Sequence, residues 1–184
     1  MANLMDFYRS VWQAVRNPQQ FHAMMVHFPI VLSVLGVLFA VLVGATAGKS
    51  RPIRWCCILL YMLGVGAAVL TADAGGDAAD HISGVGVTLS SQAAKTLHNH
   101  EEMGDKVWIF MAVTGVFALG TLIPRPGIRI LAIVLLLAGS VATAGWVSAT
   151  AHFGGTMVYQ HGVGVPHTSN NLPPSTPAAP SASP

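Results

Sequence analysis

The chain has 184 residues, of which 53% are hydrophobic and 9% charged, and its net charge is +2. An ordinary soluble domain carries about 25% charged residues, so water is not the main solvent here, and the basic residues are too scattered to form the clustered Lys and Arg surface that binds nucleic acid. The two cysteines, Cys56 and Cys57, are adjacent, which excludes a disulfide framework and every Cys-x-x-Cys arrangement used for zinc, redox chemistry or covalent haem attachment.

In the first twenty residues Met5, Tyr8, Val11, Trp12 and Val15 recur at helical spacing, with Asp6, Arg9 and Arg16 off that face. This pattern predicts an amphipathic helix, either lying on a bilayer surface or packed on a partner. The same residues lack the basic start and apolar core of a signal peptide, so the first membrane helix is expected to serve as the insertion signal. A hydrocarbon core about 30 Å thick takes roughly 20 apolar helical residues to cross. Four mainly apolar stretches meet that need, at about residues 24–48, 53–72, 107–123 and 128–151, with Arg54 and Arg129 at the starts of the second and fourth. Short turns at 49–52 and 124–127 pair them into two helix hairpins, and residues 75–105 connect the hairpins. The predicted architecture is an all-α membrane protein: an amphipathic surface helix over 1–20, a four-transmembrane-helix bundle over 21–165, and a Pro, Ser and Ala-rich tail over 166–184. The tail has few apolar side chains to bury and many prolines, so any order in it is expected to come from a partner.

Lys49, Arg51, Arg54, Arg125 and Arg129 crowd the two short turns, with no acidic residue among them. Cytoplasmic loops carry the basic excess. The turns are therefore expected in the cytoplasm, and both termini, the 75–105 connection and all seven acidic residues outside it, in the periplasm if the source is a bacterium with an inner membrane. Arg9 and Arg16, close to the first span, pull the other way.

Eight histidines, His22, His27, His81, His98, His100, His152, His161 and His167, all fall on the expected outer side. Any one of them could be a solvated interfacial residue, but His27, His100 and His152 are expected at helix ends on one level of the bundle, where side chains from several helices build cofactor and metal sites. Imidazole is the commonest metal ligand and also holds haem iron. Below His152 run Ala149, Gly145, Ala142 and Ala138, and on the second span Gly64, Ala68, Thr71, Gly75 and Ala78. Such small-residue stripes suit close helix packing or the insertion of a flat macrocycle. Asp73, Asp77, Glu101, Glu102 and Asp105 are candidate partners for a ligand imidazole's second nitrogen. A cluster of imidazoles and carboxylates could instead hold Zn, Cu or non-haem Fe. No metalloprotease helix, nucleophile elbow or phosphate loop is present, and the middles of the spans lack the ionisable or helix-breaking positions of a transporter.

The segment from His22 through His27 to Leu32 resembles the opening signature of a family of small bacterial membrane proteins catalogued as domain of unknown function 2231. His152 to Val165 is similar to its closing signature, and His100-Glu-Glu-Met-Gly-Asp105 to its middle motif. The likeness covers about residues 20–165. It implies a four-helix domain associated with electron-transfer proteins, with b-type haem as the cofactor, one or two per chain, and it favours His22, His27, His100, His152 and His161 as functional, with His98 an alternative to His100. On this reading His27, His100 and His152 are the best candidates for axial ligands, and the chain is a non-catalytic electron-transfer subunit. It would work between quinone or a membrane partner and an outer-side c-type cytochrome or dehydrogenase. The alternative is a structural membrane anchor with a non-haem metal or no cofactor.

Overall fold

The structure is a computed structural model and describes residues 3–84 and 88–164. Every element among them is an α-helix: α1 (Leu4–Arg16), α2 (Pro18–Met25), α3 (His27–Ala45), α4 (Arg51–Gly84), α5 (Ser91–Gly104), α6 (Val107–Gly120) and α7 (Pro126–His161). Four stretches are long and apolar enough to cross a membrane: Pro18–Ala45, Arg51–Gly84, Ser91–Gly120 and Pro126–His161. In a bilayer the exposed Val, Leu and Ile side chains of these helices face lipid. The inward faces mix large apolar residues such as Ile58, Met111 and Leu136 with many small or polar ones, among them Ser33, Gly36, Gly64, Thr114, Ser140 and Thr143. That mixture is expected where helices associate by close packing in lipid.

Around the bundle the order is α3, α4, α6, α7, each packed on its two neighbours, while α2 lies on α4 and α5 lies on α7. At the centre the Tyr61 hydroxyl of α4 donates to Ser140 Oγ of α7 at 2.8 Å, and Ser140 passes its own proton to Leu136 O at 2.6 Å. Thr114 and Thr143 form a second buried hydroxyl pair at 2.9 Å. The basic turns close one end of the bundle. Gly48 turns the chain at φ 64°, and the Arg54 guanidinium reaches across to the Thr121 carbonyl at 2.9 Å.

The spans expected to stop near Ala72 and Ala151 run on to Gly84 and His161. At 1.5 Å per residue α4 and α7 are about 51 and 54 Å long, well beyond a hydrocarbon core of about 30 Å. The extensions stay helical because they have something to pack on: Ile82, Met157 and Val163 form a second small core with Leu89 and Leu97. Much of the expected connection between the hairpins is therefore helix, namely the end of α4 and all of α5. The first and third spans are broken near the same end. Pro29 has no N–H to return to the Met25 carbonyl, and α2 gives way to α3 at Val26, which itself keeps right-handed helical dihedrals. The amphipathic segment is α1, capped by Asn3 with a reciprocal bond from Asp6. None of its residues is buried, and its apolar side chains Phe7, Tyr8 and Trp12 stand exposed. The tail from Pro166 lies outside the described residues.

Candidate functional site

The short helices α2 and α5 each deliver one histidine to the interior of the bundle's other end. His22, in the last turn of α2, donates from Nδ1 to the Thr71 carbonyl of α4 at 3.1 Å. His100, on α5, donates from Nδ1 to the Thr150 carbonyl of α7 at 2.9 Å. A carbonyl can only accept, so each neutral ring must carry its proton on Nδ1 and keep its lone pair on Nε2. The two rings face one another edge to face, with centroids 6.1 Å apart and planes at 85°.

Behind each ring the backing helix has a glycine. A Cβ on Gly75 would lie 3.1 Å from His22 Cε1, and one on Gly154 would lie 2.9 Å from His100 Cε1. The rings rest against bare backbone, in space that alanine would take from them. Both glycines lie four residues past the accepting carbonyl, one helical turn on, so the same strip of helix supplies the hydrogen bond and the clearance.

The histidines line a cavity of about 880 Å³ between α2, α4, α5 and α7, with walls largely of small residues such as Ala68, Ala72, Gly76, Ala151 and Gly155. Cofactor sites span roughly 300–1,000 Å³. His27, Glu101 and Asp105 also line it.

The six candidate histidines are thus distributed unequally. His22 and His100 meet in the cavity. His27 begins α3, is exposed and reaches only the cavity lining. His152 is exposed, with its ring against Phe153, and does not line the cavity. His98 is exposed on α5, and His161 is half-buried with Nε2 3.5 Å from Thr96 Oγ1. Of the three histidines expected on one level, His27 and His100 both line the cavity, where His100 also meets His22, while His152 is exposed on α7. The stripe of Ala138, Ala142 and Gly145 below His152 faces outward as well; a Cβ on Gly145 meets nothing within 4 Å. The second-span stripe Gly64, Ala68, Thr71, Gly75 and Ala78 does face the interior. His167 lies outside the described residues. Among the described residues no group of three or more His, Cys, Asp or Glu side chains is placed to hold a metal ion. Sequence reasoning did not find the accepting carbonyls of Thr71 and Thr150 or the glycine at 154; a readable signal was there, because Thr-Ala-x-x-Gly-Gly occurs at 71–76 and again at 150–155.

A four-helix membrane bundle with a pair of tautomer-fixed imidazoles in a cavity at one end is the class of protein that these features define. Residues 18–167 match the family described as predicted membrane protein, DUF2231, and the chain belongs to that family. No curated protein and no solved structure matches it.

Proposed function

We propose that this protein binds b-type haem between His22 and His100 and serves as a membrane electron-transfer subunit. The observation that carries the reading is the facing pair of Nδ1-anchored imidazoles in a cavity of cofactor size. The ring centres lie 6.1 Å apart, so both imidazoles could serve one group bound in the cavity, each through the Nε2 that its Nδ1 hydrogen bond leaves free. Two protein ligands are too few for a bare structural ion, which takes about four. They are enough for iron that already has four ring nitrogens. Bound haem would supply one-electron chemistry; the chain's part is to hold both imidazoles as ligands, keep them oriented through the Thr71 and Thr150 carbonyls, and exclude bulk from the glycine and alanine walls.

The wider reading follows from charge. With the basic turns in the cytoplasm, the histidine end faces the periplasm of a bacterial inner membrane, and both termini lie there. Electrons then pass between quinone or another membrane subunit and an outer-side c-type cytochrome or dehydrogenase, with the Pro-rich tail available to lie along that partner.

A dithionite-reduced minus oxidised optical spectrum of the purified protein tests the assignment. A b-type signal is expected, lost in His22→Ala and in His100→Ala and kept in His98→Ala, His152→Ala and His161→Ala. Protein that stays haem-free when haem is supplied in excess would leave the structural-anchor reading in its place.

A further inference from the structure

Beyond the paired histidines, the two halves of the chain share a pattern of buried positions and a few identical residues. A shift of 78 residues carries His22, Met25, Pro29, Ser33, Gly36, Ala40 and Val43 onto His100, Met103, Val107, Met111, Thr114, Ala118 and Thr121. From Pro29 on, every one of these positions is buried in both halves. A shift of 79 carries Cys57, Tyr61, Gly64, Ala68 and Ala78 onto Leu136, Ser140, Thr143, Val147 and Met157, again buried in both, and carries Thr-Ala-x-x-Gly-Gly at 71 onto its copy at 150. The packing repeats too: α2 on α4 matches α5 on α7, and α3 on α4 matches α6 on α7. The carbonyls of Met25 and Met103 end equivalent helices. Each is met by a donor from the backing helix, Trp146 Nε1 at 2.9 Å in one half and Thr71 Oγ1 at 3.2 Å in the other, the Thr71 hydroxyl being shared with the Ala67 carbonyl of its own helix at 2.7 Å. Two equivalent pairs, His22 with His100 and Tyr61 with Ser140, touch each other. Equivalent residues can meet only near a two-fold axis, so that axis runs along the bundle through both contacts.

We infer that the chain is an internal duplication of one unit, a cradled histidine followed by two spanning helices, and that the cavity is a single two-fold site to which each unit contributes one imidazole, one orienting carbonyl and one clearing glycine. Both units run the same way through the bilayer, as parallel repeats about the membrane normal do. A ligand on such an axis must offer the same chemistry to both sides. A planar metallomacrocycle does so, and in that identification the inference rests on the haem reading; the duplicated cradle itself does not. Gly75 and Gly154 are then equivalent positioning residues. The units differ at the rim, where His27 stands opposite Asp105 and Ala23 opposite Glu101, which makes the entrance polar while the centre stays symmetric.

The test uses the full chain labelled with ¹⁵N-histidine, without added haem, in Gly75→Ala and Gly154→Ala, with Gly66→Ala and Gly145→Ala as controls because a Cβ there meets nothing within 4 Å and neither residue lines the cavity. His22→Gln and His100→Gln assign the two rings. Both rings should resonate as neutral Nδ1–H tautomers; each cradle variant should shift its own ring, and the controls neither. Titration of haemin into the same proteins should then show affinity lowered about 10- to 100-fold by either cradle variant, as outer-shell changes do. If one ring is the Nε2–H tautomer, or only one cradle glycine moves its ring, the two-fold site is overturned. If a cradle variant does not fold, the tautomers of the unaltered protein decide. Paired responses with no haemin binding would keep the duplicated cradle and refute the haem reading alone.

Discussion

Gly36→Ala and Gly64→Ala add the same atom at nearly the same overlap and should differ in cost, because the neighbours differ in stiffness. A Cβ on Gly36 would lie 2.7 Å from Tyr61 Oη, 2.8 Å from Cζ and 3.3 Å from Cε1. The ring is fully buried and its hydroxyl is tied to Ser140 at 2.8 Å, so it cannot swing aside without breaking that bond. Overpacking of this kind costs about 1–3 kcal/mol, and loss of an interhelical hydrogen bond in a membrane adds about 0.6 kcal/mol. A Cβ on Gly64 would lie 2.8 Å from Met111 Sδ but 3.6 Å from its Cε and 3.7 Å from its Cγ. A thioether has three rotatable bonds and adapts, and alanine gains up to about 1 kcal/mol over glycine inside a helix. Gly64→Ala should therefore be within about 1 kcal/mol of neutral, and Gly36→Ala clearly destabilised, with much of its loss relieved when Tyr61→Leu is added. Reversible unfolding in bicelles measures all four proteins. Equal stability for the two alanine variants, or no relief from Tyr61→Leu, would refute the account of the interface.

With haem bound between rings held at 85°, the oxidised protein should give a highly anisotropic low-spin electron paramagnetic resonance signal, since perpendicular imidazoles leave two iron orbitals nearly degenerate; a rhombic signal would show parallel ligand planes and a different pair. Trp146→Phe removes the donor to the Met103 carbonyl and Thr71→Ala the donor to Met25. Each should cost about 1 kcal/mol and loosen only its own short helix, measured by hydrogen exchange over α5 or α2; loss of protection in both helices from either change would contradict two separate caps. A reporter fused after Pro184 should be active only outside the cytoplasm, because the five basic residues of the short turns hold that end inside; cytoplasmic activity would invert the bundle.

The spans were legible because lipid demands long apolar helices, and the two hairpin turns because Lys49 to Pro52 and Pro124 to Gly127 interrupt them with charge, proline and glycine. The far ends were not. The second and fourth spans, expected to end near Ala72 and Ala151, continue through Gly75-Gly76 and Gly154-Gly155, since glycine weakens a helix by only about 1 kcal/mol and packing against α2 or α5 outweighs that. Counting along α7 from His152 picked a coherent face of small residues, but a small stripe has the same spacing whichever way it points. Its direction is set by Ser140, Thr143, Val147 and Thr150, which take the inward face. The family was legible from the His22 to His27, His100 to Asp105 and His152 motifs, while the pairing of His22 with His100 depends on the packing of α2 on α4 and of α5 on α7, contacts between distant parts of the chain.

The inferred repeat is faint in the sequence for a physical reason as well. Positions facing lipid are free to exchange one apolar side chain for another, and positions in contact across the axis need only fit each other, as Tyr61 fits Ser140 and Gly64 makes room for Met111. On the duplicated-cradle reading, what must stay the same in both copies is the part that would address a ligand from two sides: a histidine, a carbonyl one helix away, and a glycine one turn beyond it. Those are the residues in which 71–76 and 150–155 agree, and His22 and His100 are the side chains they hold. The strongest internal likeness therefore falls at the cavity and not in the core. Packing alone would give the opposite distribution, with the likeness spread along the buried faces and none concentrated where the walls are open.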